Sequence, residues 1–187
     1  TVAGTTISGG GVNTSSGAIS LTGTTIDGGG VNSSSGAVTL VDGSVTNAPG
    51  TGINTSTGAI SLTRSLVSGS DSRGINSSSG AISLVNSTVS GNDGGIYGGS
   101  STITLDAVTV TLNDVDGEGV GIDTSSGTIS MTHTIVAGHS QDCDVVPTTA
   151  QYSMDSDGSC GLAGAGNLSN ANPLLGPLAN NGGPTLT

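Results

Sequence analysis

Along this chain, single aliphatic residues recur in short runs and alternate with Ser, Thr and Ala. The run Gly17-Ala-Ile-Ser-Leu21 returns as Gly36-Ala-Val-Thr-Leu40, Gly58-Ala-Ile-Ser-Leu62, Gly80-Ala-Ile-Ser-Leu84, Ser101-Thr-Ile-Thr-Leu105 and Gly127-Thr-Ile-Ser-Met131. These six copies stand 19, 22, 22, 21 and 26 residues apart, an internal repeat. Five residues before each copy sits one aliphatic residue: Val12, Val31, Ile53, Ile75, Ile96 and Ile122. Nine residues after its start sits another: Ile26, Val45, Val67, Val89, Val110 and Val136. Ile7 occupies the same place in a truncated preceding copy. Alternation with period two is the pattern of a strand with one buried face, and the runs are too short and too rich in Ser, Thr and Gly for amphipathic helices.

Three short strands per repeat predict an all-β fold, a right-handed parallel β-helix of about six to seven short coils. At about 4.8 Å per coil, six coils make a rod of about 30 Å. No single coil can bury its own apolar face, but a stack of equivalent coils buries a continuous column. A sandwich of short strands would not require the same spacing in every unit. From five residues before the motif to ten after it no copy gains or loses a residue, so all length variation falls at one corner. That corner runs from Gly9-Gly-Gly11 to the ten residues Leu112 to Gly121. The coils are expected over residues 1–141. Residues 142–187 are expected to form an irregular, disulfide-closed capping or docking segment of the same domain.

Composition narrows the range of functions. Lys and Arg total two against 13 Asp and Glu, giving a formal net charge of −11. Such a chain is a poor partner for nucleic acid or an anionic membrane, and no apolar run is long enough to span a bilayer. Phe and Trp are absent and Tyr occurs twice, which suits a thin aliphatic interior. Cys143 and Cys160 stand together after the last clear repeat, and a disulfide between them points to an extracellular or cell-surface location. The chain begins inside a repeat, as a piece of a longer precursor would.

Candidate chemistry lies at the corners and outward faces. Asn13, Asn32, Asn54 and Asn76 share one corner and are expected to stack as a side-chain ladder, although each also starts a glycosylation sequon, as do Asn86 and Asn167. Asp114, Asp116 and Glu118 in the longest loop offer oxygen ligands for calcium. Asp155 and Asp157 offer a second set, with Asp142 and Asp144 brought near by the disulfide. No other cofactor is expected. The outward Ser and Thr ranks could form a flat ice-binding plane, broken by Ala, Val and Asp. Catalysis has little support: Arg64 and Arg73 are the only strong bases, and no paired carboxylates are evident. His133 and His139 read as incidental.

The tail, with Pro173-Leu-Leu-Gly-Pro-Leu178 followed two residues later by Gly182-Gly-Pro-Thr185, resembles bacterial secreted β-helix proteins of the choice-of-anchor Q type. The repeats resemble the wider pectate-lyase-like class in period only. The resemblance implies an exported cell-surface protein and carries no catalytic set with it. Together these features lead us to expect a non-enzymatic structural or adhesive module. Its ends suggest a fibre subunit assembling head to tail, with Thr185, Leu186 and Thr187 completing the coil that begins at Thr1 and Val2. Ice binding is the first alternative and polysaccharide binding or lyase action the second. Carbohydrate or a cell-surface ligand would then be the partner besides another copy of the chain.

Overall fold

The structure, a computed structural model, describes residues 1–114, 119–181 and 186. Each coil contributes three strands in a fixed order, here called leading, motif and trailing. The motif strands form an eight-stranded sheet from Val2–Ala3 to Thr149–Gln151. The trailing strands form another eight-stranded sheet, from Thr6–Ser8 to Met154–Asp155, and the leading strands a seven-stranded sheet from Val12–Thr14 to Gln141–Cys143. Every strand pairing is parallel and joins one coil to the next, which makes a β-solenoid of about seven turns. No helix occurs among the described residues. The solenoid continues past residue 141, the boundary expected from the repeat, because Gln141–Cys143, Thr149–Gln151 and Met154–Asp155 each add a strand to their sheets.

The register brings the repeated aliphatics together. Leu21, Leu40, Leu62, Leu84, Leu105 and Met131 form one inward file of the motif sheet, all essentially inaccessible to solvent. Ile26, Val45, Val67, Val89, Val110 and Val136 form the file of the trailing sheet. Val31, Ile53, Ile75, Ile96 and Ile122 form that of the leading sheet. Burying each such side chain is worth roughly 1.5–3 kcal/mol, so the column is the main stabilising element of the rod. The last coil changes its chemistry. Cys143 follows Ile122 in the leading file and Asp155 follows Val136 in the trailing file. The disulfide joins Cys143 to Cys160, and both half-cystines are fully buried against the column.

Two corners turn through left-handed backbone. Between motif and trailing strands the residue is Gly4, Gly23, Asp42, Arg64, Asn86, Ala107, His133 or Tyr152, each with φ between 48° and 58°. Only three of these eight are residues that adopt this region readily (Gly4, Gly23 and Asn86, with Asp42 next), so the stacking imposes the conformation on the others. At the third corner, between leading and motif strands, side chains close the turn: Thr14 Oγ1 accepts from Gly17 N, and Thr124 Oγ1 from Gly127 N at 2.8 Å. The motif glycine is required by close stacking. A Cβ on Gly58 would lie 2.1 Å from the carbonyl oxygen of Gly36, and one on Gly80 would lie 2.0 Å from that of Gly58.

Candidate functional site

The three sheets present different outer faces. On the motif sheet the central outward file is Ser20, Thr39, Ser61, Ser83, Thr104, Ser130 and Thr149, paired in register from coil to coil. Every coil there carries a hydroxyl, at the strand spacing of about 4.8 Å. Beside it runs a file of small groups, Ala18, Ala37, Ala59 and Ala81, all exposed, followed by Thr102 and Thr128. The file on the other side mixes Thr22, Val41, Thr63, Val85, Asp106 and Thr132. Asp106 is the one charge among these residues, and His133 Nδ1 lies 3.5 Å from its carboxylate. The result is an even face of hydroxyl and methyl groups.

The trailing sheet has similar residues, but in its later coils the face is not free. Tail residues Leu175 to Ala179 lie across Thr88, Ser90, Thr109 and Thr111 and enclose with them a cavity of about 490 Å³. Thr88 and Ser90 are buried as a consequence. The hydroxyl ranks of the two sheets looked alike in sequence, and only the path of the tail separates them.

On the leading sheet the expected Asn ladder forms as two pairs. Asn32 Nδ2 donates to Asn13 Oδ1 at 2.8 Å, and Asn76 Nδ2 donates to Asn54 Oδ1 at 2.6 Å. Asn32 and Asn54 are in register without a hydrogen bond between their side chains, so the ladder is interrupted between the second and third coils. Tyr97 and Asp123 continue the file. The Arg73 guanidinium lies over the Tyr97 ring, 4.3 Å from its centroid, and the Tyr97 hydroxyl meets Ser125 Oγ at 2.8 Å. Arg73, Asp93 and Asp123 line a cleft of about 300 Å³. Partial burial and the neighbouring Asp144 carboxylate raise the Asp123 pKa above its ordinary value, against the opposing charge of Arg73. Such a cleft can bind polar groups by charge and hydrogen bonding.

The corner between trailing and leading strands holds an internal feature that the sequence reading missed. Ser70 N donates to Asn92 Oδ1 at 3.0 Å, and Asn92 Nδ2 to Asn113 Oδ1 at 2.8 Å. Asn113 Nδ2 meets His139 Nε2 at 3.2 Å, and His139 Nδ1 meets Asp142 Oδ1 at 2.9 Å. Because the Asn113 amide oxygen already accepts from Asn92, its nitrogen faces the ring. His139 Nε2 must therefore accept, and Nδ1 carries the proton donated to Asp142. His139 is thus a buried link, not an incidental residue. Glycines make room for the chain: a Cβ on Gly74 would come within 2.7 Å of Asn92 Nδ2, and one on Gly121 within 2.7 Å of His139 Nδ1. The signal was present as a constant offset. Ala48, Ser70, Asn92, Asn113 and His139 each lie three residues beyond the trailing aliphatic, at the corner of variable length whose acidic residues suggest calcium.

The chain of amides ends in acid. Asp142 is fully buried, and its Oδ2 accepts from Ser156 N, Ser156 Oγ and Asp157 N at 2.6, 2.7 and 3.2 Å. Burial raises its pKa, but the donors from His139 and Ser156 outweigh that and hold it below the ordinary value. Of the expected calcium ligands, Asp155 and Asp157 come together with Asp142, their carboxylate oxygens lying within 4.8 Å of one another. Asp114 accepts from Gly119 N at 2.6 Å, while Asp116 and Glu118 lie outside the described residues. Of the expected assembly residues, Thr1 and Leu186 are exposed and Val2 is half-buried; Thr185 and Thr187 lie outside the described residues.

The molecule is thus a parallel β-solenoid with one even hydroxyl face, one face crossed by its own tail, and a polar corner closed by a disulfide. A scan against protein-family models finds no match, and comparisons with curated proteins and with solved structures find none.

Proposed function

We propose that this chain is a non-enzymatic structural or adhesive module of an exported, cell-surface protein, and that it meets its partner through the outward face of the motif sheet. The observation that carries the reading is the unbroken hydroxyl file from Ser20 to Thr149, in register over seven coils and flanked by methyl groups. A rigid face with this composition suits a flat, repetitive, weakly charged partner such as a polysaccharide. Rigidity removes most of the ordering cost of binding. The Cys143–Cys160 disulfide fits an oxidising compartment, and the tail resembles exported proteins of the choice-of-anchor Q type.

Ice is a second reading of the same file, favoured because the hydroxyls repeat at strand spacing without a gap. One pair of experiments separates the two. Wild-type protein and the variant Ser83→Lys/Thr104→Lys, which sets two charges in the middle of the file, are compared for retention on insoluble polysaccharides and for inhibition of ice recrystallisation. We expect retention of the wild type on polysaccharide and its loss in the variant. Ice inhibition lost in the same variant would move the function to ice. Equal behaviour of the two proteins in both assays would remove the face as a functional surface.

A further inference from the structure

We propose that Asp142, Asp155 and Asp157 form a binding site for one divalent cation, calcium by its ligand chemistry, which locks the last coil of the solenoid. The placement of Asp155 is the first argument. It stands in the inward file of the trailing sheet, one coil beyond Val136, where the preceding coils carry Val or Ile. Its side chain is fully buried. Oδ2 accepts one hydrogen bond, from Cys160 N at 3.2 Å, and Oδ1 has no partner. A buried carboxylate oxygen without a donor is costly, and a stable rod would favour an aliphatic residue there unless a ligand meets that oxygen.

The second argument is charge balance. Asp142 is also fully buried, and one oxygen from each of the three carboxylates lies within 4.8 Å of the others. The chain supplies no cationic side chain to this group. It has no Lys and two Arg. Arg64 is held by Asp42 at 2.6 and 2.8 Å, and Arg73 lies over Tyr97. His139 has both nitrogens engaged, so it is not available as a ligand. A cation from solution is then the counter-charge open to the ionised group.

The third argument is the donor set. Asp142 Oδ1 and Asp157 Oδ2 each accept a single hydrogen bond and keep a lone pair, and Asp155 Oδ1 keeps both. All are hard oxygens. Ligands at the calcium distance of about 2.3–2.6 Å can stand up to about 5 Å apart across the ion, which the 4.8 Å limit satisfies. Asp157 is exposed, leaving a side open to water for the remaining coordination positions.

The test uses the full chain, freed of metal by a chelator, in calorimetric titration with calcium chloride and in thermal unfolding with and without millimolar calcium. The wild type should bind one calcium ion per chain and gain several degrees in Tm. Asp157→Asn, at an exposed position and with one oxygen still able to accept from Ser159, should weaken binding about tenfold or more. Asp155→Asn should lose the calcium response and, in chelator, be at least as stable as the wild type, because the amide can donate to the neighbouring carboxylates. Asp71→Asn, an acidic surface site elsewhere, should bind as the wild type does. Absence of binding heat and of a Tm shift in the wild type would overturn the proposal. A shift that survives in both Asp155→Asn and Asp157→Asn would overturn it equally, placing the ion elsewhere. Magnesium at the same concentration should give a smaller shift, and an equal one would overturn the assignment to calcium.

Discussion

At the scale of single residues, the solenoid uses side chains in places their intrinsic preferences would not choose. Ala107 sits at φ 54° only because the coils above and below hold that corner left-handed. The left-handed region costs an L-residue roughly 1–2 kcal/mol, partly offset by the greater freedom glycine has in the unfolded chain. Ala107→Gly should therefore stabilise the protein by about 1 kcal/mol or less, read from the urea midpoint at unchanged slope. Asp123 makes a separate prediction. Its pKa is raised by burial and by Asp144, so the folded state holds its proton more tightly than the unfolded chain does. The penalty is absent below the ordinary value of 3.8 and is fully developed once pH exceeds the raised folded value. Asp123→Asn should thus stabilise at neutral pH, by well under about 1 kcal/mol because the group is largely solvated. The gain should vanish when unfolding is measured below pH 3.8. Neither effect was visible in the sequence, where position 107 is one Ala among many and Asp144 lies twenty-one residues from Asp123.

At the scale of the element, the repeat is enforced by stacking as much as by burial. The motif glycines lie so close to the coil beneath that Gly58→Ala would drive a methyl group against the Gly36 carbonyl, with no flexible side chain there to yield. We expect a loss of about 1–3 kcal/mol, measured by denaturant unfolding and visible also as a lower yield of folded protein. Ser101 replaces this glycine in the fifth copy, and there the preceding corner carries Gly98-Gly99 in place of the serines of the coil before. The strands themselves were legible because their period of two, their four apolar positions and their fixed offsets are local properties. The buried chain of Asn92, Asn113 and His139 was harder to see, because polar residues in a variable-length loop look the same whether they point outward or inward. Their inward direction depends on the glycines at Gly74 and Gly121, which belong to neighbouring strands.

At the scale of the molecule, the last coil is where regular stacking stops and other chemistry takes over. The disulfide closes a loop with a sequence separation of 17 and holds Cys143 and Cys160 at the end of the apolar column. For a loop of that size, cross-linking removes about 3 kcal/mol of unfolded-state freedom. Reduction, or Cys143→Ala/Cys160→Ala, should lower Tm by roughly 6–12 °C in differential scanning calorimetry. A drop confined to the last coil would appear as early loss of amide protection from Gln141 to Cys160 in hydrogen exchange, while Ile53 to Leu105 stay protected. The outer faces are settled at this scale too, since the tail covers Thr88 and Ser90 on one sheet and leaves Ser83 and Thr104 accessible on another.

The sequence by itself determined the coil: which aliphatics face inward, three strands per turn, parallel stacking and the corner that tolerates insertions. These follow from spacing, because a solenoid repeats the same short-range pattern and each coil meets only its neighbours. It also placed the two cysteines together. The tertiary structure alone decided which hydroxyl rank is free, which Asn side chains pair, and that His139 is buried between an amide and a carboxylate. It alone brought Asp142 to Asp155 and Asp157 and left Asp155 Oδ1 without a donor inside the rod. The physical reason is that these features depend on side-chain direction and on contacts between successive coils. Residue spacing fixes the stacking of backbones but not the partners that polar groups find once the backbones are stacked.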